Sequence, residues 1–224
     1  TVTAVAPGSG TPTGTVTFTG AGLDETVDLA PDGTACLTTS VLETGTVTAV
    51  YNGDACFAGS GAAFGATVAQ AASSTTLSVD PSLSVCGQTV TVCATVTAVA
   101  PGSGTPTGTV TFTGPGGLNQ TVDLAPDGTA CLTTSGLETG IVSAIYLGDA
   151  CFTPSTGTAD VSVDPAASTV SVTVDPTPSV CGQTVTVCAT VTAVAPGSGT
   201  PTGTVTFTGA GLDETVDLAP DGTA

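Results

Sequence analysis

The sequence predicts an all-β protein, built as antiparallel β-sandwiches in a linear array, and three observations carry that prediction. Apolar and polar residues alternate with period two, turn residues break the alternating runs at short intervals, and a long segment recurs at a fixed period. Period two marks a half-buried strand, because successive side chains point to opposite faces of a sheet. No run follows the 3.6-residue apolar periodicity of a helix.

The recurring segment opens Thr1-Val2-Thr3-Ala4-Val5 and begins again at Thr95 and Thr190, at spacings of 94 and 95 residues. A period of this length is too long for a solenoid repeat and suits an independently folding domain. It divides the chain into a partial domain at residues 1–74 lacking its first strands, a complete domain at 75–168, and a partial domain at 169–224 lacking its last strands. Residues 190–224 repeat residues 1–35 letter for letter, so the chain is expected to be a window on a longer periodic array.

Within the complete repeat the elements follow in order. Val90, Val92, Ala94, Val96 and Ala98 alternate with Thr89, Thr91, Cys93, Thr95 and Thr97 and predict one strand. Pro101-Gly102-Ser103-Gly104 ends it, and Val110 and Phe112 among Thr109, Thr111 and Thr113 predict the next. Gly114-Pro115-Gly116-Gly117 and Pro126-Asp127-Gly128 are turn signals, and Ala130 and Leu132 point inward on either side of Cys131. Val142, Ala144 and Tyr146 alternate with Ile141, Ser143 and Ile145, before the Gly148-Asp149 turn. Some seven short strands per repeat point to a two-sheet sandwich.

Composition narrows the function. The chain has no Lys, Arg, His, Met or Trp and carries eighteen acidic residues, for a net charge of −18. Without cations it cannot neutralise phosphates, which excludes nucleic acid and anionic membrane surfaces as partners. Two of the three usual sources of acid and base near neutral pH, His and Lys, are missing, and no Ser or Cys has a His to activate it. Catalysis is therefore not expected. No apolar run approaches the ~20 residues that span a bilayer. An array without Lys or Arg also offers trypsin-like proteases nothing to cut.

Four stretches carry a resemblance: Gly87-Gln88-Thr89-Val90-Thr91, Pro106-Thr107-Gly108-Thr109-Val110-Thr111-Phe112, Leu137-Glu138-Thr139-Gly140, and Tyr146-Leu147-Gly148-Asp149-Ala150-Cys151-Phe152. In these the chain resembles the bacterial immunoglobulin-like domains of large extracellular surface proteins. The resemblance implies tandem immunoglobulin-like sandwiches that act as spacers in adhesins, cell-wall proteins and surface fibres. Two departures are the cysteines and the absence of Lys. The second forbids the Lys–Asn isopeptide crosslinks of some such domains, so any crosslink must use sulfur.

The eight cysteines are Cys36, Cys56, Cys86, Cys93, Cys131, Cys151, Cys181 and Cys188, four to a whole repeat. No paired Cys-x-x-Cys spacing indicates zinc, and an even count at regular spacing favours disulfides in an oxidising, extracellular setting. Cys93 and Cys131 fall on the outward faces of the second and fifth strands, neighbours in one sheet, and are expected to pair. Cys86 and its counterpart Cys181 lie in a first turn, and Cys151 and its counterpart Cys56 in a last hairpin. Within one domain these classes sit a strand length apart, roughly 20 Å, too far for a disulfide. They are therefore expected to staple one domain or subunit to the next. Pairing of Cys131 with Cys151 at one end of a single domain, or free thiols, are the competing assignments.

Asp80, Asp164 and Asp175 each precede proline near expected domain boundaries, where they are weak candidates for a junction calcium site. The simpler account is that Asp-Pro starts a turn, and no cofactor is called for. The function expected is a structural extracellular or cell-surface stalk, fibre or filament whose partner is itself, as adjacent domains or subunits. The alternative is a multivalent adhesin binding a glycan or protein through loops such as Pro101 to Gly108. A strand-exchange polymer is a third route to a fibre.

Overall fold

The computed structural model describes residues 1–209 and 211–224, which form two compact units, Thr1–Gln70 and Ala71–Ala224. Both are all-β, and no α-helix occurs among the described residues.

The first unit contains β1 (Thr15–Gly20), β2 (Leu23–Asp28), β3 (Gly45–Tyr51) and β4 (Ser60–Ala66). They make one antiparallel sheet in the order β2-β1-β3-β4. Val16 and Tyr51 are buried on it, whereas Phe64 of β4 is 76% exposed.

The second unit opens with a complete sandwich. Its strands are β5 (Ser73–Asp80), β6 (Leu83–Val85), β7 (Val90–Ala98), β8 (Thr109–Gly114), β9 (Leu118–Asp123), β10 (Thr129–Thr134), β11 (Gly140–Tyr146) and β12 (Ser155–Asp164). One sheet runs β10-β7-β5 and the other β6-β12-β11-β8-β9. The alternating residues do what their period implies. Val90, Val92, Ala94 and Val96 from the first sheet meet Val110, Phe112, Val142, Ala144 and Tyr146 from the second in one buried core.

The sequence expectation of some seven strands becomes eight because the first edge strand divides at Pro81. A proline has no N–H to give the ladder, so the chain leaves β7 after Asp80. It then crosses to the other sheet as β6, which pairs in parallel with β12 through Leu83↔Ser162, Ser84↔Val163 and Val85↔Asp164. The sandwich therefore starts and finishes at opposite ends. Ala71 bonds the 147–154 hairpin at one end, through Cys151 and Thr153, while Asp164 receives the Cys86 N–H at the other.

One turn recurs three times. Gly33, Gly128 and Gly222 each follow an aspartate, with φ of 79°, 80° and 82°. At Gly128 a Cβ would lie 2.6 Å from the Val96 carbonyl oxygen, so the site needs glycine for both its left-handed backbone and its close approach.

The second unit continues with β13 (Ser168–Asp175) paired to β14 (Thr186–Ala193), and β15 (Thr204–Gly209) paired to β16 (Leu212–Asp217). These are the counterparts, one repeat on, of β5, β7, β8 and β9, but as two separate hairpins. The valines of β13 that correspond to core positions are open: Val170 is 57% and Val172 60% exposed.

Candidate functional site

The one disulfide among the described residues sits on the outer face of the three-stranded sheet. In the β10–β7 ladder Cys131 stands directly opposite Cys93, between the inward pairs Ala130↔Ala94 and Leu132↔Val92. The two form a disulfide with Cα atoms 4.2 Å apart, closing a sequence separation of 38 residues. β10 is the edge of its sheet, so the bond ties an edge strand to the central one. Cys36, Cys56, Cys86, Cys151, Cys181 and Cys188 are free and exposed.

The 147–154 hairpin, which carries Cys151, is built around Asp149. Its Oδ1 accepts the backbone N–H groups of Cys151 and Phe152, each at 2.8 Å. Its Oδ2 accepts both the N–H and the hydroxyl of Thr107, also at 2.8 Å. Burial alone would raise the carboxyl pKa, but the Thr107 donors and the two hairpin N–H groups outweigh it and hold it down to about 2. Tyr146, fully buried beside this carboxylate, is pushed up to about 12 by its burial and by the Asp149 charge. The first unit repeats the device. Asp54 is held well below the usual carboxylate range by the backbone N–H of Thr13 and those of Cys56 and Phe57. In both places the loop at Gly108 or Gly14 is tied to the hairpin, so this acidic turn is structural.

Cys86 lies at the finishing end of the sandwich, beside the start of the next repeat. Its carbonyl accepts the N–H of Ser198 at 3.3 Å, and the Ser198 hydroxyl bonds the Gly87 carbonyl. An open cleft of about 360 Å³ here is lined by Cys86, Ala166, Ser198, Gly199 and Thr202. In the complete sandwich the positions matching Ala166, Gly199 and Thr202 are Ala71, Gly104 and Thr107. Ala71 bridges to Phe152, a Cβ on Gly104 would sit 3.8 Å from the Phe152 ring, and Thr107 is held by Asp149. The cleft beside Cys86 thus corresponds to the seat of a Cys151-type hairpin. Cys86 and Cys151 of the same sandwich lie at opposite ends of β12, roughly 30 Å apart at ~3.3 Å per residue.

The three aspartates are not gathered. Asp80 ends β5 and Asp164 ends β12 at the finishing end of the sandwich, but Asp175 ends β13, opposite Thr186. It is a strand length, ~23 Å, away from the Ser168 end that adjoins the sandwich. Among the described residues no three Cys, Asp or Glu side chains converge as a metal-binding group. The Asx turns at Asp32, Asp127 and Asp221, which the sequence marked only as turns, each bind the hydroxyl and N–H of the threonine two residues on. The threonine hydroxyl and then its N–H lower all three carboxyl pKa values.

Comparison with known proteins gives one family match: the profile described as Bacterial Ig-like domain (group 3) covers residues 75–164. No curated protein matches the sequence. Among solved structures, one concerns host cell surface retention of a 1.5-MDa bacterial ice-binding adhesin, at 20% identity and a TM-score of 0.34, covering 96% of this chain and 75% of that one. Another is a Ca²⁺-stabilised adhesin with which an Antarctic bacterium reaches out and binds ice, at 22% identity and a TM-score of 0.34. That match covers 95% of this chain, which spans 56% of the adhesin chain.

Proposed function

Starting from the bacterial immunoglobulin-like domain that residues 75–164 form, we propose that the protein is a non-catalytic structural element outside the cell. In this reading it is a stalk or fibre of tandem sandwiches whose work is to bear tension. The domain limits at 1–74, 75–168 and 169–224 and the junction role of Cys86 and Cys151 belong to this reading.

The observation that carries it is the parallel pairing of β6 with β12. Tension applied at Ala71 and Asp164 pulls the two ends of the sandwich apart along the strands. It slides β6 against β12, so the rungs between them are loaded together instead of being unzipped one by one. The Cys93–Cys131 bond then limits what is lost if the ladder fails, because the segment between those residues cannot extend. The contact of Ser198 with Cys86 and Gly87 supports end-to-end placement of successive repeats. The disulfide, the high negative charge and the lack of trypsin sites suit an extracellular position. The Thr107 end of the candidate adhesive loop is held by Asp149, which favours a structural use of that loop over ligand capture.

Single-molecule pulling of the chain tests this. The domain is expected to give a distinct force peak. Its released length should be about 130 Å shorter when oxidised than when reduced, from the 38-residue separation locked by the disulfide at ~3.3–3.6 Å per residue. Extension without a resolvable peak would remove the mechanical reading.

A further inference from the structure

One hairpin occurs three times in this chain, in the same register but with different chemistry on its second strand. In β1–β2, β8–β9 and β15–β16, Phe18, Phe112 and Phe207 stand opposite Glu25, Gln120 and Glu214, and Thr19, Thr113 and Thr208 opposite Asp24, Asn119 and Asp213. A threonine pair bridges each hairpin: Thr17 with Thr26 and Thr111 with Thr121 at 3.0 Å, and Thr206 with Thr215 at 3.1 Å. The frame is constant. Within it, Leu-Asp-Glu-Thr of the outer copies becomes Leu118-Asn119-Gln120-Thr121 in the complete domain, so two carboxylates are replaced by uncharged carboxamides.

That exchange falls on an edge. β9 ends the five-stranded sheet and is bonded to β8 alone. An edge strand has to be kept from pairing with a further strand, and charged side chains are a common means. At positions 119 and 120 β9 has none. It carries instead Asn-Gln-Thr, the acceptor pattern for an N-linked glycan, in which asparagine precedes a serine or threonine by two residues and the residue between is not proline. The chain has two asparagines, and Asn52, followed by Gly53-Asp54, does not complete the pattern. Asn119, Gln120 and Thr121 are all exposed, and the Asn119 carboxamide makes no hydrogen bond to another described residue. With a period of two, Asn119 and Thr121 share the outward face of β9, opposite Thr113 and Thr111, while Phe112 between those threonines points into the core. A bulky group on Asn119 therefore displaces nothing that is packed.

We propose that Asn119 is the acceptor of an N-linked glycan, and that this glycan shields the β9 edge where the other two copies of the hairpin use Asp and Glu. The substrate class is a sugar activated on a phosphate leaving group. Asn119 Nδ2 forms a bond to the anomeric carbon, the bond from that carbon to the phosphate oxygen breaks with its electron pair going to the phosphate, and one Nδ2 proton passes to a base of the transferase. Because β9 has a single neighbour, presenting it to the transferase breaks one ladder and frees the Thr121 hydroxyl from Thr111. The threonine alone is not the signal, since Thr26 and Thr215 keep the bridge in copies that lack the asparagine. The inference goes beyond the structural reading above and needs only an exposed β9.

The test is mass spectrometry of the full chain isolated from the cells that make it, cut with chymotrypsin because trypsin has no sites. The peptide spanning Asn119 is expected to be heavier by one or more sugar residues, and fragmentation should leave them on Asn119. Made in the same cells, Asn119→Gln and Thr121→Ala should each lose the adduct, whereas Thr121→Ser, which keeps the acceptor pattern, should retain it. An unmodified Asn119, an adduct that persists in Asn119→Gln on a neighbouring hydroxyl, or one that survives Thr121→Ala would overturn the site. Sedimentation reads the shielding. Asn119→Gln should form larger species than the glycosylated chain, and Asn119→Asp combined with Gln120→Glu should reverse that shift; an Asn119→Gln chain no more associated than the glycosylated one would overturn the edge role. Formation of Cys93–Cys131 checks that each variant is folded. None of these outcomes bears on the force peak of the domain, so this inference and the mechanical reading fail separately.

Discussion

Asp149 shows how much structure one carboxylate can organise in a chain without a single basic side chain. Four donors, three from the backbone and one from a hydroxyl, satisfy it in place of an ion pair. Hydrogen bonds to the charged form depress its pKa below the ~3.9 of an unfolded aspartate. Its stabilising contribution is therefore complete above about pH 4 and is lost as the pH falls through its folded value of about 2. Thermal melts of the wild type should show this acid-side decline. Asp149→Ala should lower the melting temperature at neutral pH by roughly 5 °C or more, since it orphans several donors at once, and should flatten the decline between about pH 4 and 2. An unchanged profile in the variant would assign the acid sensitivity to other carboxylates, such as Asp54. In the sequence Gly148-Asp149 reads only as turn chemistry, because its chief partner, Thr107, lies 42 residues away.

The strands of the central domain were legible because threonine and valine alternate cleanly there, and the ladder Thr129↔Thr95 through Thr134↔Val90 keeps that phase. Less legible was the break at Pro81. Its proline announces a stop, but only the assembled sheets show that the chain restarts against β12. The placement of Asp175 also escaped the sequence, since proximity to a boundary in residue number says nothing about which end of a strand reaches the junction. The disulfide belongs to this scale as well, because it joins two elements of one sheet. Replacing both partners, Cys93→Ala with Cys131→Ala, should cost about 4 kcal/mol, the chain-entropy value for a loop of 38 residues. Urea denaturation of the oxidised protein and the double variant measures it. Equal midpoints would mean that the unfolded ensemble gains nothing from release of the crosslink.

Across the whole molecule, eighteen carboxylates act without any compensating cation. Self-repulsion should make stability depend on ionic strength in one direction only. The melting temperature is expected to rise between about 0.01 and 0.5 M salt as the screening length shortens from ~30 Å to a few ångströms. A fall would point to attractive charge pairs, which a chain lacking Lys, Arg and His cannot form between side chains. The sandwich also starts at Ala71 and finishes at Asp164, at opposite ends, with near-identical sequence before and after it. For the gene this has a consequence. Unequal recombination between such near-identical stretches can insert or delete whole repeats without disturbing any core. On the stalk reading proposed above, lineages would then differ in reach by a fixed increment, with no new surface to evolve each time the coding sequence grows or shrinks.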